Sequence, residues 1–333
     1  MLIKILVKKG GSSNKTKTLP ENTHTSRKKT PSAAVSTGGY IPFIDYLTIV
    51  IAPPTVEDAH ALHSAYWTSV ADEEAFKKAP RSQYPSKGFR HARSIVLASV
   101  LNHKKWPVIE CSYAEKKVKK LRLVLNPRKI GEQGMMELNA SLTCLMDGGW
   151  QYVRRYGRIS RIDVAVNIPG IRPDEFLFLP QLATASMGWS VNGHLEGASY
   201  GKGKGNQTLV YNVKKKRLAK DQSWEGKSVT RVERRLRNPS PDKIEDIATL
   251  GNPFASMILA ENMPPPPPWE KGWQWSMFED SVKVRGLTAA LALLPPERRA
   301  KYRAYLKEHQ KPWWDPEAIW SNWPQALKVL KLP

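Results

Sequence analysis

Cysteine, acid and long apolar runs are what this chain has least of. Its two cysteines, Cys111 and Cys144, cannot build a disulfide framework or a four-cysteine zinc site. No apolar run approaches the ~18 residues of a membrane-crossing helix. The opening MLIKILVKKGG has too short an apolar core for a secretory signal. A reducing, cytoplasmic setting with no membrane partner is therefore expected. No glycine-rich loop leads into a Lys-Ser or Lys-Thr pair, which argues against an ATPase. The shortage of acid matters most: 30 Asp and Glu stand against 52 Lys and Arg, a formal net charge of +22 over 333 residues. A surface field of that sign selects polyanionic partners, nucleic acid first.

Hydrophobic residues make up 41% of the chain, enough for a sizeable core. Residues 1–39, rich in Ser, Thr, Lys and Gly, show no hydrophobic period and read as a basic disordered tail. Order is expected from YIPFIDYLTIVIAP, a β-branched and aromatic run stopped by Pro53-Pro54. Val56, Ala59, Leu62 and Tyr66 then follow a helical period. SIVLASVL, WPVIECSY, KKLRLVLNP, SRIDVAVNIPG, QTLVYNV and SVTRVERRLR read as strands. MMELNASLTCLMDGGW reads as a helix closed by Gly148-Gly149, and PDEFLFLPQLATAS as a short helix. This irregular alternation predicts an α+β domain over residues 40–262, mostly antiparallel sheet flanked by helices. Five prolines in MPPPPPWEKGWQW, residues 263–275, suggest a polyproline II linker. A small helical C-terminal module over 276–333 completes the chain.

Three stretches can carry chemistry. In SRIDVAVN, Arg161, Asp163, Ala165 and Asn167 share one strand face and Ile162, Val164 and Val166 the other. A carboxylate within an apolar strand must be paired or hold a metal, and pairing with Arg161 is the default. In TRVERRLR, Glu233 shares a face with Arg231, Arg235 and Arg237, and an ion pair is again the default. Side by side, Asp163 and Glu233 would offer oxygen ligands to Mg²⁺ or Mn²⁺. In TLVYNVKKK, Tyr211 ends an apolar run between the basic loop GKGKGN and Lys214, Lys215, Lys216 and Arg217. A tyrosine at a strand end is ordinarily packing. As a nucleophile on a phosphodiester it would need a divalent ion, cations and a proton acceptor, and all three residue types are nearby.

These stretches, in the order IDYLTI, SRIDVAVN, GKGKGNQTLVYNVKKK and VTRVERRLR, resemble the replication initiation factor family. Its members are rolling-circle initiators of filamentous phages and small Gram-positive plasmids. FEDSVKVRGLTAALALL is similar to that family's C-terminal helical segment, and the likeness spans roughly residues 40–295. The resemblance implies nicking of one strand at a double-stranded origin. A tyrosine stays on the 5′ phosphate while the freed 3′ end primes synthesis, with a metal held by acids.

Carried over, the resemblance makes Tyr211 the nucleophile, displaces the family's lysine to Lys214, and makes Asp163 and Glu233 metal ligands. The family's second acid is here Asn167, a neutral oxygen, and Asp45 is a further candidate ligand. Tyr200 and Tyr156 rank behind Tyr211 as nucleophiles. The seven histidines contain no His-hydrophobic-His triplet, the metal motif common in rolling-circle nickases.

DNA contacts are expected from Lys202, Lys204, Lys215, Lys216, Arg217, Arg231 and Arg235, and from Lys120 and Arg122 of the basic strand KKLRLVL. The expected partners are double-stranded origin DNA and the nicked single strand in a host bacterial cell. A host helicase and a second copy of the chain are further candidates. The competing reading is a noncatalytic DNA-binding protein, either a phage or plasmid repressor or an initiator relic, and Asn167 favours it. A single-strand coating protein fits less well, because the tryptophans gather near the C-terminus rather than among the basic strands.

Overall fold

The computed structural model describes residues 40–329 except 81–82, 181–185, 192–193, 202–203, 221–222, 262–263, 286 and 312. The basic tail over 1–39 and Lys202 lie outside the described residues. The first half of the fold runs β1 (Phe43–Ile51), α1 (Val56–Val70), β2 (Phe76–Lys78), β3 (His91–Ile95), β4 (Val108–Ala114), β5 (Lys117–Leu125), α2 (Pro127–Leu145) and α3 (Trp150–Tyr156). Then come β6 (Gly157–Pro169), β7 (Phe176–Pro180), β8 (Ser186–Val191), β9 (His194–Tyr200), β10 (Gln207–Asn212), α4 (Val213–Leu218), β11 (Val229–Arg237) and β12 (Met257–Glu261). Helices α5 (Gly272–Arg285), α6 (Leu287–Ala292), α7 (Pro296–Glu308), α8 (Pro316–Trp320) and α9 (Trp323–Val329) follow.

Ten strands form one antiparallel sheet in the order β2-β3-β4-β5-β1-β6-β11-β10-β9-β8. This is the α+β architecture expected from the alternation, with helices gathered at the C-terminal end. Period-2 patterning decides the two faces. Leu47, Ile49 and Ile51 of β1, Leu121 and Leu123 of β5, Ile162, Val164 and Val166 of β6 and Val232 of β11 project to one side and are fully or almost fully buried. Helices α1, α2, α3 and α9 and the 3-10 turn Ile244–Thr249 pack along β1, β5 and β6. Each such aliphatic side chain contributes about 1.5–3 kcal/mol on burial.

The helix starts have local causes. Thr55 accepts from the Asp58 N–H to cap α1, and Asn126 accepts from the Lys129 N–H, with Pro127 in the first turn of α2. Gly148 and Gly149 take positive φ values, 77° and 52°, and turn the chain from α2 into α3.

One expected element is corrected. In PDEFLFLPQLATAS, Pro173–Glu175 makes only a 3-10 turn and Phe176–Pro180 forms strand β7 rather than a helix, because it finds a partner in Met257–Glu261, far along the chain; residues 181–185 lie outside the described residues. The strand expected over SIVLASVL stops at Ile95, and β8 and β9 had no clear alternating signal. The five-proline segment packs on the C-terminal helices: Pro264 and Pro265 carbonyls accept from Trp275 Nε1 (2.8 Å) and Tyr305 Oη (2.7 Å). Among the described residues no helix is long and apolar enough to cross a membrane.

The junction of α3 and β6 tests the packing. A Cβ on Gly157 would meet the Val153 carbonyl and approach Ile49 Cγ2 at 2.7 Å, whereas Gly251 has open space around it. Gly157→Ala is expected to cost about 1–3 kcal/mol in urea unfolding, with Gly251→Ala within about 0.5 kcal/mol of the parent. Equal midpoints for the two variants would contradict this packing.

Candidate active site

The central strand pair builds the site. β6 and β11 run antiparallel with Asp163 opposite Arg235, Ala165 opposite Glu233 and Asn167 opposite Arg231. All six therefore project from the face away from the aliphatic core. β10 adds Tyr211, opposite Arg231, and β1 adds Tyr46, opposite Asp163. Asp45 falls at a register shift between Ile44 and Tyr46, a bulge that takes it out of the alternation and toward Arg231.

These side chains form one connected network. The Tyr211 hydroxyl donates to Glu233 Oε2 at 3.1 Å. Arg235 Nε donates to Glu233 Oε1 at 2.8 Å and lies 3.6 Å from Asp163 Oδ2, so one guanidinium sits against both carboxylates. Arg161 clamps Asp163 with bonds of 2.8 and 2.5 Å. Arg231 donates to Asn167 Oδ1 at 2.9 Å and pairs with Asp45 at 3.1 Å. Lys216 Nζ stands 3.8 Å from the centre of the Tyr211 ring.

Asp163, Glu233 and Tyr211 are 2%, 2% and 3% exposed, so their charges act with little screening. Burial first, then Glu233 and Asp45 and the bond to Glu233, hold the Tyr211 phenol well above its ordinary pKa against the pull of Arg231. Tyr211 is thus a neutral hydrogen-bond donor. Burial also raises Asp163, with Glu233 adding to it and Arg161 and Arg235 opposing. Lys216 is lowered, mainly by desolvation at the ring.

The remaining candidates divide by location. Asn212 caps α4, so the chain leaves the strand after Tyr211 and Lys214 lies on a helix, while Lys216 reaches the ring. Lys215 lies 3.8 Å from Glu196, and Arg217 covers the Trp224 ring. Lys204 is exposed in the loop before β10. Lys120 and Arg122 share the site face on β5, two strands from β6 and three from β11, where both cover Phe89. Arg122 is also bound to the fully buried Glu110. Tyr200, opposite Thr208, projects from the other face, and burial pushes it up to about 12. Tyr156 ends α3 and packs against Tyr152. Among the described residues, no three His, Cys, Asp or Glu side chains gather into a metal-holding group.

Sequence reasoning missed Arg128. It follows the Asn126-Pro127 helix start, stacks 3.9 Å from the Phe43 ring, and feels the charges of Arg231, Asp45 and Arg217. The helix-start signal was present, but its proximity to β1 was not.

No protein-family model matches the chain, and no curated protein matches it significantly. Among solved structures it is similar to a rolling circle replication initiator protein from Geobacillus stearothermophilus. The identity is 13% and the TM-score 0.39, over 74% of this chain and 98% of that one. At that score the likeness assigns no residue a role.

The Arg235 bridge has a measurable signature. Arg235→Met is expected to cost about 1–3 kcal/mol at neutral pH, because it strips a hydrogen bond from buried carboxylate. Asp163 has a raised folded pKa, so its contribution to stability is complete below the unfolded carboxylate value and lost as pH rises through the folded one. Arg235 opposes that rise. The deficit should therefore grow from acidic to neutral pH in urea titrations, and a deficit independent of pH would show Arg235 acting through packing alone.

Proposed function

We propose that this chain is a rolling-circle replication initiator that nicks and rejoins one DNA strand at a double-stranded origin through Tyr211. The observation that carries the reading is the Tyr211 hydroxyl bonded to Glu233, beside Asp163 and within a shell of Arg231, Arg235 and Lys216. A phenol held neutral next to a carboxylate has its proton acceptor in place. In the forward step, Tyr211 Oη forms a bond to phosphorus, the P–O3′ bond breaks, the phenol proton passes to Glu233 Oε2, and the departing O3′ takes up a proton from solvent. The phosphodiester becomes a 5′-phosphotyrosine and a free 3′ hydroxyl, and the reverse step rejoins the strand without ATP. Arg231 and Lys216 would balance the charge that develops on the phosphate. Lys216, covering the ring, takes the supporting place first expected of Lys214.

The donor set suits Mg²⁺ or Mn²⁺. Such ions commonly take one or two carboxylates, with substrate phosphate and water completing the shell, and Asp163 and Glu233 already share one cationic group. Those two residues would hold the ion, with Asn167 and Asp45 as outer candidates once Arg231 is released from them. A bound ion would polarise the scissile phosphate.

A second reading has its own support. Asp163, Glu233 and Asp45 are all paired with arginine, and Asn167 is too. A face completed in this way suits a noncatalytic DNA-binding protein. In either case affinity for duplex DNA should fall by about 0.9 log unit per phosphate neutralised for each tenfold rise in salt. The nicked strand, a helicase of the bacterial host and a second copy of the chain remain proposed partners.

The two readings separate on supercoiled DNA carrying the candidate origin. With Mn²⁺, the parent chain is expected to open the circle and remain covalently attached to a 5′ end. Tyr211→Phe should bind the DNA but lose nicking by at least about 1,000-fold, as loss of a nucleophile requires. Equal nicking by both would remove Tyr211 from the mechanism. DNA binding without nicking or Mn²⁺ binding would favour the noncatalytic reading.

A further inference from the structure

Cations gather on one side of Tyr211 beyond what the acids there can match. Arg161, Arg231 and Arg235 each have a carboxylate within 3.1 Å. Arg128, Lys216 and Arg217 have no ion-pair partner among the described residues, and aromatic rings hold them instead. The Arg128 guanidinium sits 3.9 Å from the centre of the Phe43 ring, Lys216 Nζ 3.8 Å from that of Tyr211 and the Arg217 guanidinium 4.9 Å from that of Trp224. Arg231 covers the same Phe43 ring at 5.0 Å and stands 5.9 Å from the Tyr211 ring. Phe43 thus joins Arg128, at the start of α2, to the arginine beside Tyr211.

The acids within reach are already taken, Asp45 by Arg231 and Glu233 by Arg235. Desolvation at the ring, then the like charges of Arg231 and Arg217, lower the Arg128 pKa, and Asp45 opposes them. Arg231 and Lys220 act on Lys216 in the same sense. Arg128, Lys216 and Arg217 are all exposed. One stacked cation is ordinary packing. Four cations from α2, α4 and β11, held near one another with no free counter-charge, are relieved by an anion from outside. A guanidinium stacked on a ring keeps its edge N–H groups for a phosphate, the anion its fork matches. In the reaction proposed above, the phosphate at Tyr211 meets Arg231 and Lys216. We propose that Arg128 and Arg217 form a second phosphate seat, which holds a neighbouring phosphate of the same DNA strand. This rests on DNA being bound at Tyr211, not on its being nicked.

The test is the salt dependence of DNA affinity, read by fluorescence anisotropy on the full chain in EDTA. The probe is a labelled 20-nucleotide DNA of mixed sequence, offered as single strand and as duplex. Arg128→Gln is expected to flatten the plot of log affinity against log salt by one phosphate contact, about 0.7 with the single strand or about 0.9 with the duplex. At 0.1 M salt the single strand should then bind about fivefold more weakly. Arg128→Lys keeps the charge and should keep the parent slope. The thermal midpoint of Arg128→Gln should match the parent, because Arg128 closes no ion pair among the described residues. Arg303→Gln, at an exposed position of α7, controls for the general positive field and should leave the slope unchanged. A slope unaffected by Arg128→Gln in both forms would overturn the proposal. So would an equal loss in Arg303→Gln, or a parent chain that binds neither form. The expected slope loss in a chain that never nicks would strike the nickase reading and leave the seat standing.

Discussion

The register between β6 and β11 is the constraint on which the molecule turns. Nine residue pairs, from Val229 opposite Pro169 to Arg237 opposite Arg161, lock the two strands in the middle of a ten-stranded sheet. Because side chains alternate, a one-residue slip of either strand would move its aliphatic residues to the polar face and its ionic ones into the core. Val164, Val166 and Val232, all fully buried, make that slip costly. The same hydrophobic preference that holds the sheet therefore sets Asp163, Glu233 and Arg235 within bonding distance on the opposite face.

That face is a balance of buried charge. Asp163 and Glu233 lie almost wholly out of water, where an unpaired carboxylate is strongly disfavoured. Arg161 and Arg235 offset this through direct bonds, and the bulge at Asp45 supplies Arg231 with a counter-charge. The arrangement also keeps the Tyr211 proton on oxygen, beside the group best placed to accept it.

The C-terminal helices serve a different end. Trp275, Phe278 and Tyr302 build a compact aromatic cluster with Leu306, and Trp314 and Trp323 are anchored by indole bonds to the Met257 and Ile247 carbonyls. Aromatic area with a satisfied N–H gives short helices a fixed seat. Pro264 and Pro265 lie against that cluster, their carbonyls accepting from Trp275 and Tyr305.

Local signals were legible wherever their period was local. Alternation in SRIDVAVN and TRVERRLR separated the two faces residue by residue, and the caps at Thr55 and Asn126 followed ordinary helix-start chemistry. The charge excess and the α+β pattern were equally open to reading. What could not be read depends on contacts between distant segments. Phe176–Pro180 became a strand because β12 pairs with it, some eighty residues later. Lys216 rather than Lys214 reached the Tyr211 ring because Asn212 ended the strand and α4 carried its third lysine over the ring from the exposed side. Arg128 joined the site only because α2 begins beside β1. Periodicity specifies which side of an element a residue occupies; packing alone decides which other element that side will face.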